Sequence, residues 1–163
     1  MGLRRIHTTD EPALHKVCKT VTSFDWRLRK LLDDMRDTLI DSEGVGLAAP
    51  QVGILSRFLV MIDPDSETIY RMINPHIVSY GDTTCTMEEG CLSVLGNDGL
   101  PVFANVTRPD SVVVEWTDEH GDTKMAQMSG TPARIVQHET DHLDGKLFID
   151  YLSPIRREML MRK

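Results

Sequence analysis

The spacing of hydrophobic positions changes several times along the chain, and each change marks an element. Across residues 23–44, "SFDWRLRKLLDDMRDTLIDSEG", Leu28, Leu31, Leu32, Met35 and Leu39 recur at helical spacing behind Asp25, a residue suited to cap the helix. A small-residue loop, "SEGVGLAAPQVGI", follows and leads into the apolar run "RFLVMID", which reads as a strand. The segments "TIYRMINPHIVSY" and "SVVVEWTDEHGDTKMAQMSG" are rich in β-branched and aromatic residues, and a turn signal at 119–122 makes the second a hairpin. In "GTPARIVQHETDHLDG" the signals are helical again: Thr131 as cap, Pro132 at the first helical position and Gly145 just past the end. Ser153 and Pro154 open a last helix in "SPIRREMLMRK". Helices towards both ends with antiparallel or mixed strands between them predict an α+β fold, and 163 residues with no linker or repeat predict one domain over 1–163.

Composition narrows the functional classes. The formal charge is -7, from 18 basic and 25 acidic residues, which argues against a DNA-binding protein held by overall charge. A local exception is the C-terminal segment, where Arg156, Arg157, Arg162 and Lys163 face only Glu158. Three cysteines, Cys18, Cys85 and Cys91, are an odd number in a chain of a size that needs no disulfides, so a reducing compartment is expected. No apolar run follows the early positive charges, which predicts neither a signal peptide nor a membrane span, and cytoplasmic residence is the expectation.

The candidate chemistry lies in "QHETDHL". On a helix His138 and His142 share one face and can each turn a nitrogen to one ion, while Glu139, one position round, can reach a water there. The competing reading is a solvated or core-packed histidine pair. A metal site needs a third ligand, and no histidine follows His142. Asp144 and Asp150 stay open as ligands, but Cys91 in "MEEGCLSV" is the better candidate, a thiolate beside a glycine that permits close backbone approach. Three such ligands leave a fourth position for water and suit Fe(II), Zn(II), Co(II) or Ni(II) alike.

Three segments in order, "GVGLAAPQ", "EGCLS" and "QHETDHL", closely resemble the signature motifs of the peptide deformylases, and the likeness extends over nearly the whole chain. The resemblance implies sheets packed around a central metal-binding helix and removal of the formyl group from the N-terminal formyl-methionine of new polypeptides. It implies one divalent ion per chain, typically Fe(II) in the native state, on Cys91, His138 and His142. Glu139 would be the proton shuttle, and Gln51 with the Leu92 N–H would hold the formyl oxygen as charge develops on it. The backbone at Gly46 would pair with the extended peptide, and Val45 and Ile135, with Met87 a weaker candidate, would line the methionine pocket; core packing is the competing reading for these three. Arg108 and Asp141 are read as an ion pair steadying the metal helix, with Glu89 in a similar supporting position. The partners implied are N-formyl-methionyl nascent chains, and for the basic C-terminal helix a docking role on the ribosome.

The chain departs from the family after the second motif. Leu95 stands where a proline is usual, and the loop "SVLGNDGLPVFANVTR" is several residues longer, which alters the rim of the substrate groove. Two other readings compete: a catalytically silent relative that binds N-termini or ribosomes, and a peptidase cutting internal bonds. Glu139, Gln51 and the full ligand set argue against the first, and the cysteine ligand against the second.

Overall fold

Helix α1 (Trp26–Asp41) starts where its first free amides find a partner, the Asp25 carboxylate accepting from the Leu28 N–H at 3.1 Å. In this computed structural model, which describes residues 2–162, seven strands follow in two sheets. Strands β1 (Gly46–Ala48), β2 (Phe58–Ile62), β3 (Ile69–Tyr80), β6 (Ser111–Thr117) and β7 (Thr123–Ser129) form one sheet in the order β1-β2-β3-β6-β7. Strands β4 (Thr84–Glu89) and β5 (Ala104–Pro109) form a separate two-stranded ribbon. Every pairing between these strands is antiparallel.

The sheet is covered on both faces where β2 runs. Leu28, Leu32, Met35 and Leu39 of α1 pack with Phe58 and Val60, whereas helix α2 (Thr131–Leu143) packs Ile135, Val136 and Leu143 with Leu59 and Met61. Burial on both sides explains why β2 reads in the sequence as an unbroken apolar run rather than an alternating one. A third core, built on Val94, Val102, Val106, Phe148, Ile149 and Leu160, joins the ribbon to helix α3 (Pro154–Met161). The Ser153 hydroxyl caps α3 by accepting from the Arg156 N–H at 3.3 Å. Among the described residues no helix is long and apolar enough to cross a membrane.

The start of α2 differs from expectation. Thr131 is the first helical residue rather than the cap, Pro132 is the second, and Gly130 precedes them with φ 67 and no side-chain cap. The chain must turn sharply out of β7 here, and the Gly130 N–H donates to the Asp110 carbonyl at 2.9 Å; a backbone of this hand is open to glycine at little cost. Gly145 closes the helix as expected, with φ 75.

The end of α2 is also locked against the N-terminal segment. A Cβ at Gly145 would fall 2.8 Å from the His15 carbonyl carbon and 3.1 Å from the Lys16 nitrogen. Gly121, with φ 85, has nothing within 4 Å of such an atom. Gly121→Ala is therefore expected to lower stability by about 1 kcal/mol, the left-handed backbone penalty alone. Gly145→Ala adds a clash with backbone and should lower it by about 3 kcal/mol or more. Urea unfolding of both variants checks the difference.

Candidate metal centre

Packing of Ala133, Ile135, Val136 and Leu143 on the sheet fixes the rotation of α2, and so fixes where its polar residues point. His138 and His142 lie one turn apart with ring centroids 5.1 Å from each other, both buried. Cys91 arrives from the ribbon, two residues beyond β4, and places its Sγ 3.4 Å from His142 Nε2. One ligand atom from each of the three lies within 4.8 Å of the others, a cluster of the size that an ion bound at about 2.0 to 2.3 Å gathers. The alternative ligands lie elsewhere engaged: Asp144 pairs with Arg57 at 3.0 Å and Asp150 with Arg157 at 2.9 Å.

Glu139 turns its carboxylate into the same space. Its two oxygens sit 4.0 Å from His138 Nε2 and 4.0 Å from His142 Nε2, and one of them, Oε1, is buried with no hydrogen-bond partner. Burial pushes this carboxyl up to about 7, because the charged form is poorly solvated. The edge strand β1 makes the space for it: a Cβ on Gly46 would fall 2.4 Å from Glu139 Oε2. The missing side chain of Gly46 is thus filled by the carboxylate of Glu139.

Gln51 is buried in the short 3₁₀ turn after β1, and its hydrogen bonds settle which way the amide faces. Oε1 accepts from the Ala48 N–H at 2.9 Å, so the NH₂ group points at the cluster. That group donates to Ser93 Oγ at 3.0 Å and lies 3.5 Å from Cys91 Sγ. Ser93, which the sequence did not single out beyond its place in "EGCLS", is the residue that fixes this end of the amide.

The supporting residues meet at Glu89. Its carboxylate accepts from Arg108 Nε at 2.6 Å, from Arg108 Nη2 at 3.0 Å, from Arg134 and, at 2.9 Å, from His138 Nδ1. With Nδ1 so engaged, His138 turns Nε2 to the cluster. Desolvation would raise the Glu89 carboxyl, but hydrogen bonds from His138 and Arg108 outweigh it and hold it down to about 2. Arg108 also reaches Asp141 at 2.9 Å as expected, and Tyr151, whose hydroxyl donates to the same carboxylate at 2.7 Å, lies under its guanidinium. Arg134 and Tyr151 went unnoticed in the sequence, although Arg134 stands four before His138 and so on its helical face.

Val45, Gly46, Met87, Leu92, Ile135 and Phe103 help line a cleft of about 450 Å³ that ends at Cys91, His138 and Glu139. Ile135 is buried and also belongs to the core, whereas Val45 and Met87 are nearly half exposed. The charge pattern suits a cation. Burial works to lower His138, yet Glu139, Cys91 and Glu89 around it overcome this and hold it well above its ordinary value, while His142 is pushed well down by burial and by His138. Together with the unpartnered Glu139 oxygen, two imidazoles and a thiol make a donor set that fits one divalent ion.

Comparison with known proteins extends over nearly the whole chain. Residues 3–158 match the family model described as polypeptide deformylase. A peptide deformylase of Natranaerobius thermophilus is 42% identical over 158 residues, 97% of each chain, and one of Endomicrobium trichonymphae is 41% identical over all of this chain and 94% of its own. Among solved structures, a peptide deformylase from Legionella pneumophila superposes with a TM-score of 0.91 at 40% identity, covering 99% of this chain and 93% of that one. The Ehrlichia chaffeensis peptide deformylase in complex with actinonin gives 0.92 at 36% identity, covering 99% and 95%. A cysteine brought to two helical histidines beside an unpartnered glutamate, in a chain alike over its whole length, is accounted for by one ancestry: the chain belongs to the polypeptide deformylase family.

Proposed function

We propose that this chain is a metal-dependent hydrolase that removes the formyl group from the N-terminal formyl-methionine of newly made polypeptides and releases formate. The observation that carries the reading is the buried cluster of Cys91, His138 and His142 at the end of a cleft, with an unpartnered Glu139 oxygen beside it. Cys91, His138 and His142 would hold the ion, Fe(II) in the native state by family likeness, with Zn(II), Ni(II) or Co(II) accepted by the same donors. When bound, the ion supplies Lewis acidity, lowering the pKa of a water and polarising the formyl carbonyl.

The chain's own residues do the rest. Glu139, with its carboxyl raised to about 7, is suited both to take a proton from the attacking water and to give one to the amine nitrogen as the C–N bond breaks. Gln51 presents amide hydrogens in a fixed direction, and with the Leu92 N–H it would hold the formyl oxygen as negative charge grows on it. The free edge of β1 at Gly46 would take the extended peptide as an added strand, and Ile135, Val45 and Met87 would receive the methionine side chain. A silent relative that merely binds N-termini would gain nothing from a buried carboxyl at this place. The ribosome-docking role of α3 has narrower support: Arg157 pairs with Asp150 and Arg162 with Glu158, and Lys163 lies outside the described residues. Arg156, with exposed Ile155 and Met159, is what α3 offers a partner.

Anaerobically purified, metal-loaded protein should release formate from formyl-methionyl peptides, and Glu139→Ala should lower kcat/KM by about 10³-fold or more with metal content unchanged. Absence of release by the wild-type protein would overturn the reading. Glu89→Ala leaves Arg108 and Arg134 without their shared carboxylate and His138 without its orienting partner. It is expected to destabilise the fold by about 3 to 5 kcal/mol and to weaken metal retention about 10- to 100-fold, measured by competition with a chelator.

A further inference from the structure

The loop between Ser93 and β5, residues 94–103, which the sequence sets apart, is internally braced. Leu95 and Pro101 bridge across it, the Gly96 N–H donates to the Leu100 carbonyl at 2.9 Å, and Gly99 turns with φ 77. Beneath, Val94 and Val102 are buried with Phe148 and Leu160, so the loop is anchored to the third core. Above, it holds Leu100 and Phe103 in solvent at 62% and 54% exposure. Phe103 is nonetheless fixed on one side, because its ring lies on Gly90, next to Cys91. A Cβ on Gly90 would fall 2.4 Å from the ring. The same ring lines both the cleft and the apolar groove along Met159 and Leu160 of α3.

We propose that Phe103 is a specificity-determining residue that favours an apolar side chain on the residue following formyl-methionine. The inference rests on the deformylase reading above. A peptide lying along the free edge of β1 is extended, and its successive side chains point to opposite sides. If the methionine turns to buried Ile135, the next side chain turns the opposite way, toward the exposed part of the cleft lining, to which Phe103 and Pro101 belong. Apolar contact with a ring that is already held on Gly90 adds affinity with little loss of freedom in the protein. The acidic residues at the same cleft, Glu43 and Glu88, work against an acidic side chain there. Charge and apolar contact are therefore separated by comparing neutral residues.

The test measures kcat and KM for formyl-Met-X-Ser peptides with X as leucine, phenylalanine or asparagine, on the metal-loaded full chain. Wild type is expected to favour leucine and phenylalanine over asparagine by about tenfold in kcat/KM, carried mainly by KM. In Phe103→Ser the preference should fall to near unity, and Phe103→Leu should restore most of it, with melting temperature and metal content reported for each. A preference absent from the wild type, or one that survives in a folded, metal-loaded Phe103→Ser, overturns the proposal. No formate release from any of the peptides by wild type would instead overturn the deformylase reading.

Discussion

The candidate metal centre depends on one buried carboxylate. Cys91 hangs from a two-stranded ribbon that shares no strand pairing with the five-stranded sheet, while both histidines ride on α2. A ribbon of two strands has little stability of its own, so a separate clamp must bring it to the helix. Glu89, the last residue of β4, is that clamp: it binds Arg108 from β5 and Arg134 and His138 from α2. Arg134 adds direct hydrogen bonds to the backbone of the ribbon, at Val106 and Cys85. Burying these charges costs solvation, which the multiple hydrogen bonds and paired cations offset. Because one oxygen of Glu89 also faces His138, the clamp that seats Cys91 also sets the direction of the His138 ring.

Glu139, the base of the proposed reaction, is positioned by the other sheet. β1 is the edge strand, and its Gly46 leaves room for the Glu139 carboxylate, so sheet edge and helix meet at the side chain proposed to carry the proton. Gln51 continues the same short segment and turns its NH₂ group inward because its oxygen is held by the Ala48 N–H. Three families of contact therefore converge on one point: apolar packing rotates α2, the Glu89 hub draws in the ribbon, and the β1 segment supplies glycine and amide.

Much of this was legible in the sequence where a residue type had a single physical use. The apolar spacing of α1, the doubly buried β2, the hairpin of β6 and β7 and the i, i+4 histidines are all present as expected. The β4–β5 ribbon was not, and the reason is burial: residues 84–88 are exposed, so Thr84–Glu89 carries no apolar alternation to reveal a strand. Arg134 and Tyr151 were missed because arginine on a helix and a tyrosine near a turn ordinarily face solvent; only tertiary contact with Glu89 and Asp141 gives them work. The start of α2 slipped by one residue since a threonine before a proline imitates a cap, while the actual stop is a glycine in a left-handed turn. Cys91 was separable from Asp144 and Asp150 by chemistry but not by distance until the fold placed the two acids against Arg57 and Arg157.

The glycines give the sharper lesson about reading a site from sequence. A glycine in a motif suggests room for a ligand's backbone, and at both Gly46 and Gly90 room is indeed what the residue provides. Yet the protein itself fills it, with the Glu139 carboxylate in one case and the Phe103 ring in the other. The two fillings, Glu139 and Phe103, line the same cleft. In the first, the absent side chain lets the Glu139 carboxylate approach the sheet edge. In the second it lets a long, otherwise irregular loop seat one aromatic residue beside Cys91, so that the ring lines the cleft while Cys91, His138 and His142 keep their places.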